Sequence, residues 1–283
     1  MGRPPDFAGF SEIDRTGSAG AYAGYLDDVG SLGAVAEWKR RSFEVLEARP
    51  GARLVDVGCG TGADVLALAA LVEPGGRVVG IDASSEMIRE ARRRAGGPRA
   101  AVDFRAGDVR RLPLPDASFD GCRAERTLQH LDDPAAAVAE MARIVRPGGR
   151  LVVAEPDWGT LVVDSPDPDT ARVVTAAAAR RVRAGDAGRR LRRLLAEAGL
   201  TGVDVVARTL VVTDAAQADL LFDLAAAADR AVADGELRPD DVRGWRADLA
   251  RAGAEGRFLA AMTAFMAWGR RPTGPARGGA VRP

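Results

Sequence analysis

The stretch Leu54-Val-Asp-Val-Gly-Cys-Gly-Thr-Gly62 decides the fold of this chain. A short apolar strand ends in three glycines at alternate positions, which lets the backbone turn sharply and approach a ligand closely. Asp82 stands 20 residues after Gly62, at the end of the next apolar run. Because a carboxylate at that place can accept two hydrogen bonds from a ribose diol, the pattern predicts a nucleoside-containing ligand.

Asp56 distinguishes between two such ligands. It lies two residues before Gly58, where an anion would oppose a pyrophosphate but would suit a ligand that carries an ammonium and a sulfonium. The looser dinucleotide pattern G-x-G-x-x-G/A is also satisfied, by Gly58, Gly60 and Ala63. We therefore expect S-adenosylmethionine (SAM), a nucleoside with a cationic amino-acid tail, rather than a dinucleotide.

With these motifs the sequence resembles the class I SAM-dependent methyltransferases, in the branch that includes ubiquinone and menaquinone methyltransferases. The matching segments are residues 55–62, 79–82, 107–109, 112–120, 128–131, 146–150 and 191–199. The resemblance covers about residues 45–213 and implies transfer of a methyl group to a small molecule.

The resemblance also implies which residues contact the cofactor. They are Asp56, Gly58, Cys59, Gly60, Gly62, Asp82, Ala83, Met87, Gly107, Asp108, Val109, Arg123 and Ala124. The glycine turn would face the methionyl part, Asp82 the ribose, and Ala83 and Met87 the adenine. Asp108 would accept from the adenine amino group, and Arg123 and Ala124 would lie near the sulfonium.

Two candidate catalytic residues, His130 and Glu125, follow the fourth predicted strand. His130 is the only histidine, and its ordinary pKa suits a general base near neutrality. A packed structural histidine fits the same position. Glu125 could orient the acceptor or take its proton, or could pair with Arg126.

Candidate substrate contacts come from two places. Glu155, Asp157 and Trp158 end the fifth predicted strand, where open α/β sheets bind ligands. Tyr22 and Tyr25 lie on an N-terminal helix that could fold over the site, although hydrophobic packing would explain both tyrosines equally well.

Apolar runs that alternate with helical segments predict an α/β fold: a doubly wound, mostly parallel seven-stranded sheet with helices on both faces. Residues 1–20 look irregular, and 21–48 look helical. We expect an N-terminal helical cap at 1–48, a SAM-binding domain at 49–271 with a helical insert at 214–256, and a disordered tail at 272–283. The insert would shape the substrate pocket. Segment 146–149 is expected to be a turn, and 214–234 is expected to be helical.

The composition limits which classes of binding partner and which cellular location are expected. Forty basic and 40 acidic residues leave no net field to gather nucleic acid. No apolar stretch is long enough to span a membrane, and the first ten residues lack a signal-peptide core, so we expect a cytoplasmic protein. No ligand cluster indicates a metal. We expect a small-molecule substrate, and the apolar residues of the insert leave a homodimer open.

Two alternative functions remain at this point. One is a SAM-binding protein without methyl transfer, such as a scaffold or a SAM-assisted cyclase. The less favoured one is an NAD(P)-dependent reductase. Its short-chain form needs a Tyr-x-x-x-Lys pair, and the sole lysine, Lys39, has Val35 at the tyrosine position.

Overall fold

The computed structural model describes residues 5–97 and 101–274. The strands are β1 (Arg53–Val57), β2 (Arg77–Asp82), β3 (Val102–Ala106), β4 (Phe119–Glu125), β5 (Val145–Pro156), β6 (Val162–Val163), β7 (Thr201–Val212) and β8 (Ala260–Arg270). The α-helices are α1 (Ile13–Thr16), α2 (Ala19–Gly30), α3 (Gly33–Val45), α4 (Ala63–Val72), α5 (Ser85–Arg94), α6 (Pro134–Ile144), α7 (Pro168–Arg180), α8 (Ala187–Glu197), α9 (Ala215–Phe222), α10 (Leu224–Ala233) and α11 (Pro239–Ala254). Most of the predicted disordered tail, 275–283, lies outside the described residues.

The strands form one sheet in the order β3-β2-β1-β4-β5-β8, with β7 paired to β8 at the far edge. The pairs among β1 to β5 are parallel, whereas β8 runs antiparallel to β5, β6 and β7. The α/β prediction of a mostly parallel sheet is therefore confirmed. The two-residue β6 is an eighth strand that the sequence pattern did not reveal.

Alternation along β1 explains why both faces of the sheet are covered. Successive strand side chains point to opposite faces. Leu54 belongs to a core with Val65 of α4, whereas Val55 belongs to a core with Met141 of α6. All four side chains are at most 1% exposed, so each face is sealed by its own layer of helices.

A further core joins the N-terminal helices to the insert. Phe7 and Tyr25 pack in one cluster with Trp158, Phe222 of α9 and Trp245 of α11. Trp158 follows the end of β5, so this cluster lies beyond the carboxyl ends of the strands. The cap and the insert therefore meet over the edge of the sheet where ligands bind in open α/β folds.

Three local expectations need correction. The first 20 residues are not irregular throughout, because a 3-10 turn at Phe7–Glu12 and α1 occupy part of them. Residues 146–149, expected to be a turn, lie within β5, and Gly148 there has a φ of 80°. Residues 21–48 are not one helical run, because Ser31 and Leu32 separate α2 from α3.

The predicted helix at 214–234 is broken at Asp223. This residue has a φ of 48° and a ψ of 49°, a left-handed conformation that ends α9 before α10 begins. Aspartate tolerates that conformation better than most residues, and an ion pair with Arg181 at 2.6 Å holds it. The break is tertiary in origin, which is why helical periodicity did not show it.

Gly80 of β2 gives a test of the helix-on-sheet packing. A Cβ there would lie 2.8 Å from atoms of Val65 and Phe104, so we expect Gly80→Ala to lower the free energy of unfolding by about 1–3 kcal/mol. Gly244 of α11 faces open space, and Gly244→Ala is the matched control, expected to be neutral or stabilising. Urea denaturation of both variants measures the difference, and equal stabilities would contradict this packing.

Candidate functional site

A cavity of about 980 Å³ lies at the carboxyl ends of the strands, under the N-terminal helices and the insert. The sheet contributes the glycine turn after β1, Asp82 at the end of β2 and Glu155 near the end of β5. Residues from Phe7 to Lys39 contribute the opposite wall. Part of the chain expected as a cap therefore lines the site itself.

The glycine turn fits tightly into its surroundings. Gly58, Gly60 and Gly62 have φ values of 71°, 50° and 80°, a region that favours glycine. A Cβ at Gly58 would lie 2.1 Å from the Thr127 hydroxyl, so the turn and the segment after β4 are in close contact. Gly58 and Gly60 line the cavity, together with Cys59.

Asp82 is arranged to accept a diol. Its Oδ2 accepts from the Gly60 N–H at 2.8 Å, and its Oδ1 accepts from the Ser84 N–H at 2.9 Å. Each carboxylate oxygen can accept a second hydrogen bond, so both oxygens keep capacity for a ligand. The exposed Ala83 and the buried side chain of Met87 line the wall beside it.

Gly107, Asp108 and Val109 line the neighbouring wall. The Asp108 carboxylate accepts from the Arg110 backbone and guanidinium at 2.7–3.1 Å, and this hydrogen bonding lowers the pKa of Asp108. The carboxylate is therefore ionised at neutral pH and acts only as a hydrogen-bond acceptor.

Arg123 is a buried cation surrounded by carboxylates. Its side chain is 1% exposed and forms ion pairs with Asp56 at 2.8 Å, Asp64 at 3.1 Å and Glu125. Lys39 of α3 also pairs with Asp64, at 2.8 Å. Three carboxylates against two cations leave one negative charge when all are ionised, which suits a cationic ligand tail.

Three of the expected cofactor residues do not line the cavity, and their contact with a cofactor stays a prediction. Asp56 does not line the cavity, because Arg123 holds it in the interior, and burial raises its pKa to about 6. Gly62 faces away from the cavity, since its Cβ position lies 2.7 Å from the Phe104 ring. Ala124 is fully buried and is not part of the wall either.

Two expected substrate residues also lie off the cavity. The Tyr22 hydroxyl donates to the Asp6 carbonyl at 3.0 Å, and its ring packs on Phe10. The Asp157 carboxylate is buried, accepts from the Gly159 N–H and forms an ion pair with Arg189. Each polar group is therefore engaged in holding local structure.

The other expected substrate residues do line the cavity. Tyr25 is buried against Phe7 and Phe10, with ring centroids 5.6 and 5.5 Å away. Trp158 contacts Phe7 edge-on at 5.6 Å, and its indole N–H donates to Gln129 Oε1 at 2.8 Å. These rings give one end of the cavity an aromatic wall.

Glu155 lines the cavity, but one of its carboxylate oxygens is hydrogen-bonded to the loop after β4. Its Oε1 accepts from the Thr127 and Leu128 N–H groups at 2.8 and 2.6 Å. Among the described residues, no group donates to its buried Oε2. Burial raises the pKa of Glu155 to about 8, although these backbone hydrogen bonds act in the opposite direction.

The cap is fastened to the cofactor end by residues that the sequence did not single out. The Asp14 carboxylate accepts from the hydroxyl of Ser84 and from the first N–H groups of α5, at Ser85 and Glu86. Asp27 of α2 forms an ion pair with Arg94 at 2.6 Å. A single acidic residue on a helix is a common surface feature, so neither carried a usable signal.

Comparisons with known proteins agree with this geometry. A family model described as a methyltransferase domain matches residues 55–153. An uncharacterised 37.1 kDa protein in transposon Tn4556 of Streptomyces fradiae is 43% identical over 243 residues, which are 86% of this chain and 69% of that protein. The demethylmenaquinone methyltransferase of Beutenbergia cavernae is 42% identical over 135 residues, which are 47% of this chain and 53% of that enzyme.

The chain belongs to the class I SAM-dependent methyltransferases. A solved structure shares the fold: phosphoethanolamine N-methyltransferase 2 of Haemonchus contortus, in complex with SAM. It has a TM-score of 0.60 and 17% identity, and the match covers 93% of this chain and 60% of that one. The match to the demethylmenaquinone methyltransferase spans only about half of that enzyme. SAM is the cofactor of this methyltransferase.

The two candidate catalytic residues of the methyltransferase, Glu125 and His130, differ in their surroundings. Glu125 lines the cavity, but its carboxylate is held by Arg123. The half-buried His130 ring stacks on Phe10 at 5.0 Å. Burial, and then the charges of Arg126 and Arg183, lower the pKa of His130 to about 3, which makes it a weak base near neutrality. Neither residue is arranged as an efficient general base.

Within residues 5–97 and 101–274, no group of three or more His, Cys, Asp or Glu side chains could hold a metal ion. None of the described helices combines the length and the apolar character that crossing a bilayer requires.

Removal of Arg123 tests the central ion-pair cluster. Arg123→Met would leave buried carboxylates without their cation, so we expect a loss of about 3–5 kcal/mol in the free energy of unfolding. Arg172→Met is the control, because the Arg172–Asp169 pair is exposed and should contribute little. Urea denaturation compares the two, and an Arg123 variant as stable as the control would refute the central role of the cluster.

The raised pKa of Glu155 predicts a pH effect. The folded protein retains a proton on Glu155 up to about pH 8, whereas the unfolded chain releases it near its ordinary pKa. Between about pH 4.5 and 8, the free energy of unfolding of the wild type should therefore fall relative to Glu155→Gln, which carries no such proton. The limit is about 1.4 kcal/mol per pH unit. Denaturation curves across this range provide the measurement, and a constant difference between the two proteins would contradict the assignment.

Proposed function

We propose that this methyltransferase transfers the methyl group of SAM to an O, N or C atom of a small, largely apolar molecule, such as a secondary-metabolite intermediate. The observation that carries the proposal is a cavity with two unlike ends. One end holds Asp82 and the acidic cluster around Arg123, and the other holds the rings of Phe7, Tyr25 and Trp158. At about 980 Å³, its volume is near the upper limit of ordinary ligand pockets, which leaves room for a cofactor and an acceptor together.

The polar end fits SAM in its donor set. Asp82 would bind the ribose hydroxyls through the free capacity of its two oxygens, and the apolar Met87 would contact the adenine. Asp108 would accept from the adenine amino group. The excess negative charge among Asp64, Glu125 and their partners would balance the cationic methionyl end.

When bound, SAM supplies an electrophilic methyl group: the acceptor's electron pair forms the new bond to carbon, and the carbon–sulfur bond breaks with its pair going to sulfur. The protein then has to align the acceptor and exclude water. The aromatic wall performs both tasks, since it buries a flat acceptor on one side. Trp158 is fixed for this purpose by its hydrogen bond to Gln129.

Calorimetric titration with SAM and, separately, NADH is the first test of the cofactor end. We expect micromolar binding of SAM and no binding of NADH. NADH binding without SAM binding would overturn the proposal and favour a reductase.

Acceptor screening tests the transfer itself. Release of S-adenosylhomocysteine from a panel of hydroxylated aromatic compounds, amines and activated carbon acids should identify the acceptor class. SAM binding with no turnover on any of them would favour the alternative of a SAM-binding scaffold or cyclase. The cytoplasmic location and the homodimer stay predictions, and gel filtration tests the latter.

The ribose assignment makes a quantitative prediction. Asp82→Ala should weaken SAM binding by about 1–3 kcal/mol, or roughly 5- to 150-fold, because an acceptor for the ribose hydroxyls is lost. Asp103→Ala is the control, since Asp103 pairs with Arg77 and Arg105 and does not line the cavity. Equal SAM affinity in the Asp82 variant and the wild type would remove Asp82 from the site.

A further inference from the structure

Arg126 is held in an unusual backbone conformation directly after β4. Its φ is 50°, in the left-handed region, which a non-glycine residue adopts at some energetic cost. The conformation is fixed on both sides, because its N–H donates to the Ala154 carbonyl at 2.9 Å and its carbonyl accepts from Gln129 Nε2 at 3.3 Å. Arg126 lines the cavity, and its guanidinium lies over the Tyr25 ring, 5.8 Å from the centroid.

Arg126 differs from the other arginines of the cavity in lacking a carboxylate partner among the described residues. Four other arginines line the cavity, and each has a carboxylate partner: Arg110 with Asp108, Arg123 with its cluster, Arg183 with Asp132, and Arg208 with Glu37. Across residues 5–97 and 101–274, no carboxylate forms an ion pair with Arg126. A half-buried cation on an aromatic wall is therefore available for an anion from outside the chain.

The same end of the cavity offers little to take a proton from an acceptor. The charged and titratable groups that line the cavity together with Arg126 include Glu12, Tyr25, Glu125, His130, Asp132, Glu155 and Arg183. Glu125 is held by Arg123, and Asp132 is held by Arg183. Burial, and then the charges of Arg126 and Arg183, disfavour His130 as a cation. Glu12 pairs with Arg15, and burial raises the pKa of Glu155 to about 8, so Glu155 already holds a proton near neutrality. The unpaired cation of Arg126 instead favours an acceptor that has already lost its proton to water.

We propose, on the basis of the function proposed above, that Arg126 binds the ionised hydroxyl of a flat aromatic or enolic acceptor lying against the Tyr25 and Trp158 rings. The bound phenolate or enolate attacks the methyl carbon directly. The new oxygen–carbon bond forms as the carbon–sulfur bond breaks, and no protein base is needed because the proton left before binding. Arg126 thereby selects acceptors with an acidic hydroxyl.

The probe for this proposal is 7-hydroxycoumarin, a flat bicyclic phenol whose ionised form has its own absorption and fluorescence. It is titrated over pH in the presence of protein saturated with S-adenosylhomocysteine. In the wild type we expect the pKa of the bound probe to fall by about one unit below its value in Arg126→Gln. That shift corresponds to phenolate binding about tenfold tighter relative to the neutral phenol.

Matched variants distinguish the effect of the Arg126 charge on the probe's pKa from the effect of the side chain's shape. Arg126→Lys keeps the charge and should retain most of the shift. Arg172→Gln removes an arginine that is paired with Asp169 on the surface and does not line the cavity, and should leave the shift unchanged. Far-UV circular dichroism checks folding, and Arg126→Asn replaces Arg126→Gln if the latter does not fold, because asparagine tolerates left-handed φ.

Equal pKa values for the probe in the wild type and Arg126→Gln would overturn the proposal. So would an absence of probe binding to the cofactor-loaded wild type at millimolar concentration. A protein that fails to bind S-adenosylhomocysteine in calorimetry would instead overturn the proposed function, and with it the inference that rests on that function. The two failures are therefore distinguished by separate measurements.

Discussion

The buried ion-pair cluster at Arg123 is the constraint on which the rest of the site depends. A cation in the interior must be compensated, and Arg123 is compensated by Asp56 of β1, Asp64 of α4 and Glu125 at its own strand end. These carboxylates come from the strand before the glycine turn, the helix after it and the neighbouring strand. One guanidinium thus sets the spacing between the turn and β4, and through Lys39 it also anchors the N-terminal helix α3.

Local sequence was enough to predict what local geometry determines. The glycines after β1 must adopt left-handed φ, and Asp82 must follow β2 at the same edge of the sheet, so both could be placed from spacing alone. The mostly parallel sheet followed from the alternation of strands and helices. The pairing of Asp56 with Arg123 could not be predicted, because Arg123 lies 67 residues away along the chain.

Properties that arise from distant neighbours could not be predicted. His130 looked like a base because its ordinary pKa is near neutrality, but that pKa depends on Arg126, Arg183 and the depth of the ring. Tyr22 and Tyr25 are three residues apart on one helix, yet only Tyr25 reaches the cavity. Asp14 was not predicted because its partner Ser84 is 70 residues further along the chain. In each case the sequence identified the side chain but not the residues that surround it in the folded protein.

The ties that hold the N-terminal segment give the chain an order of assembly. Asp14 and Asp27 bind residues of α5, and Asp6 pairs with Arg181, which is 175 residues further along the chain. During synthesis this segment leaves the ribosome before any of these partners exist. The docking of this segment can therefore be completed only after Arg181 has been made. The wall that it supplies to the cavity completes the site only when the later part of the chain has been made.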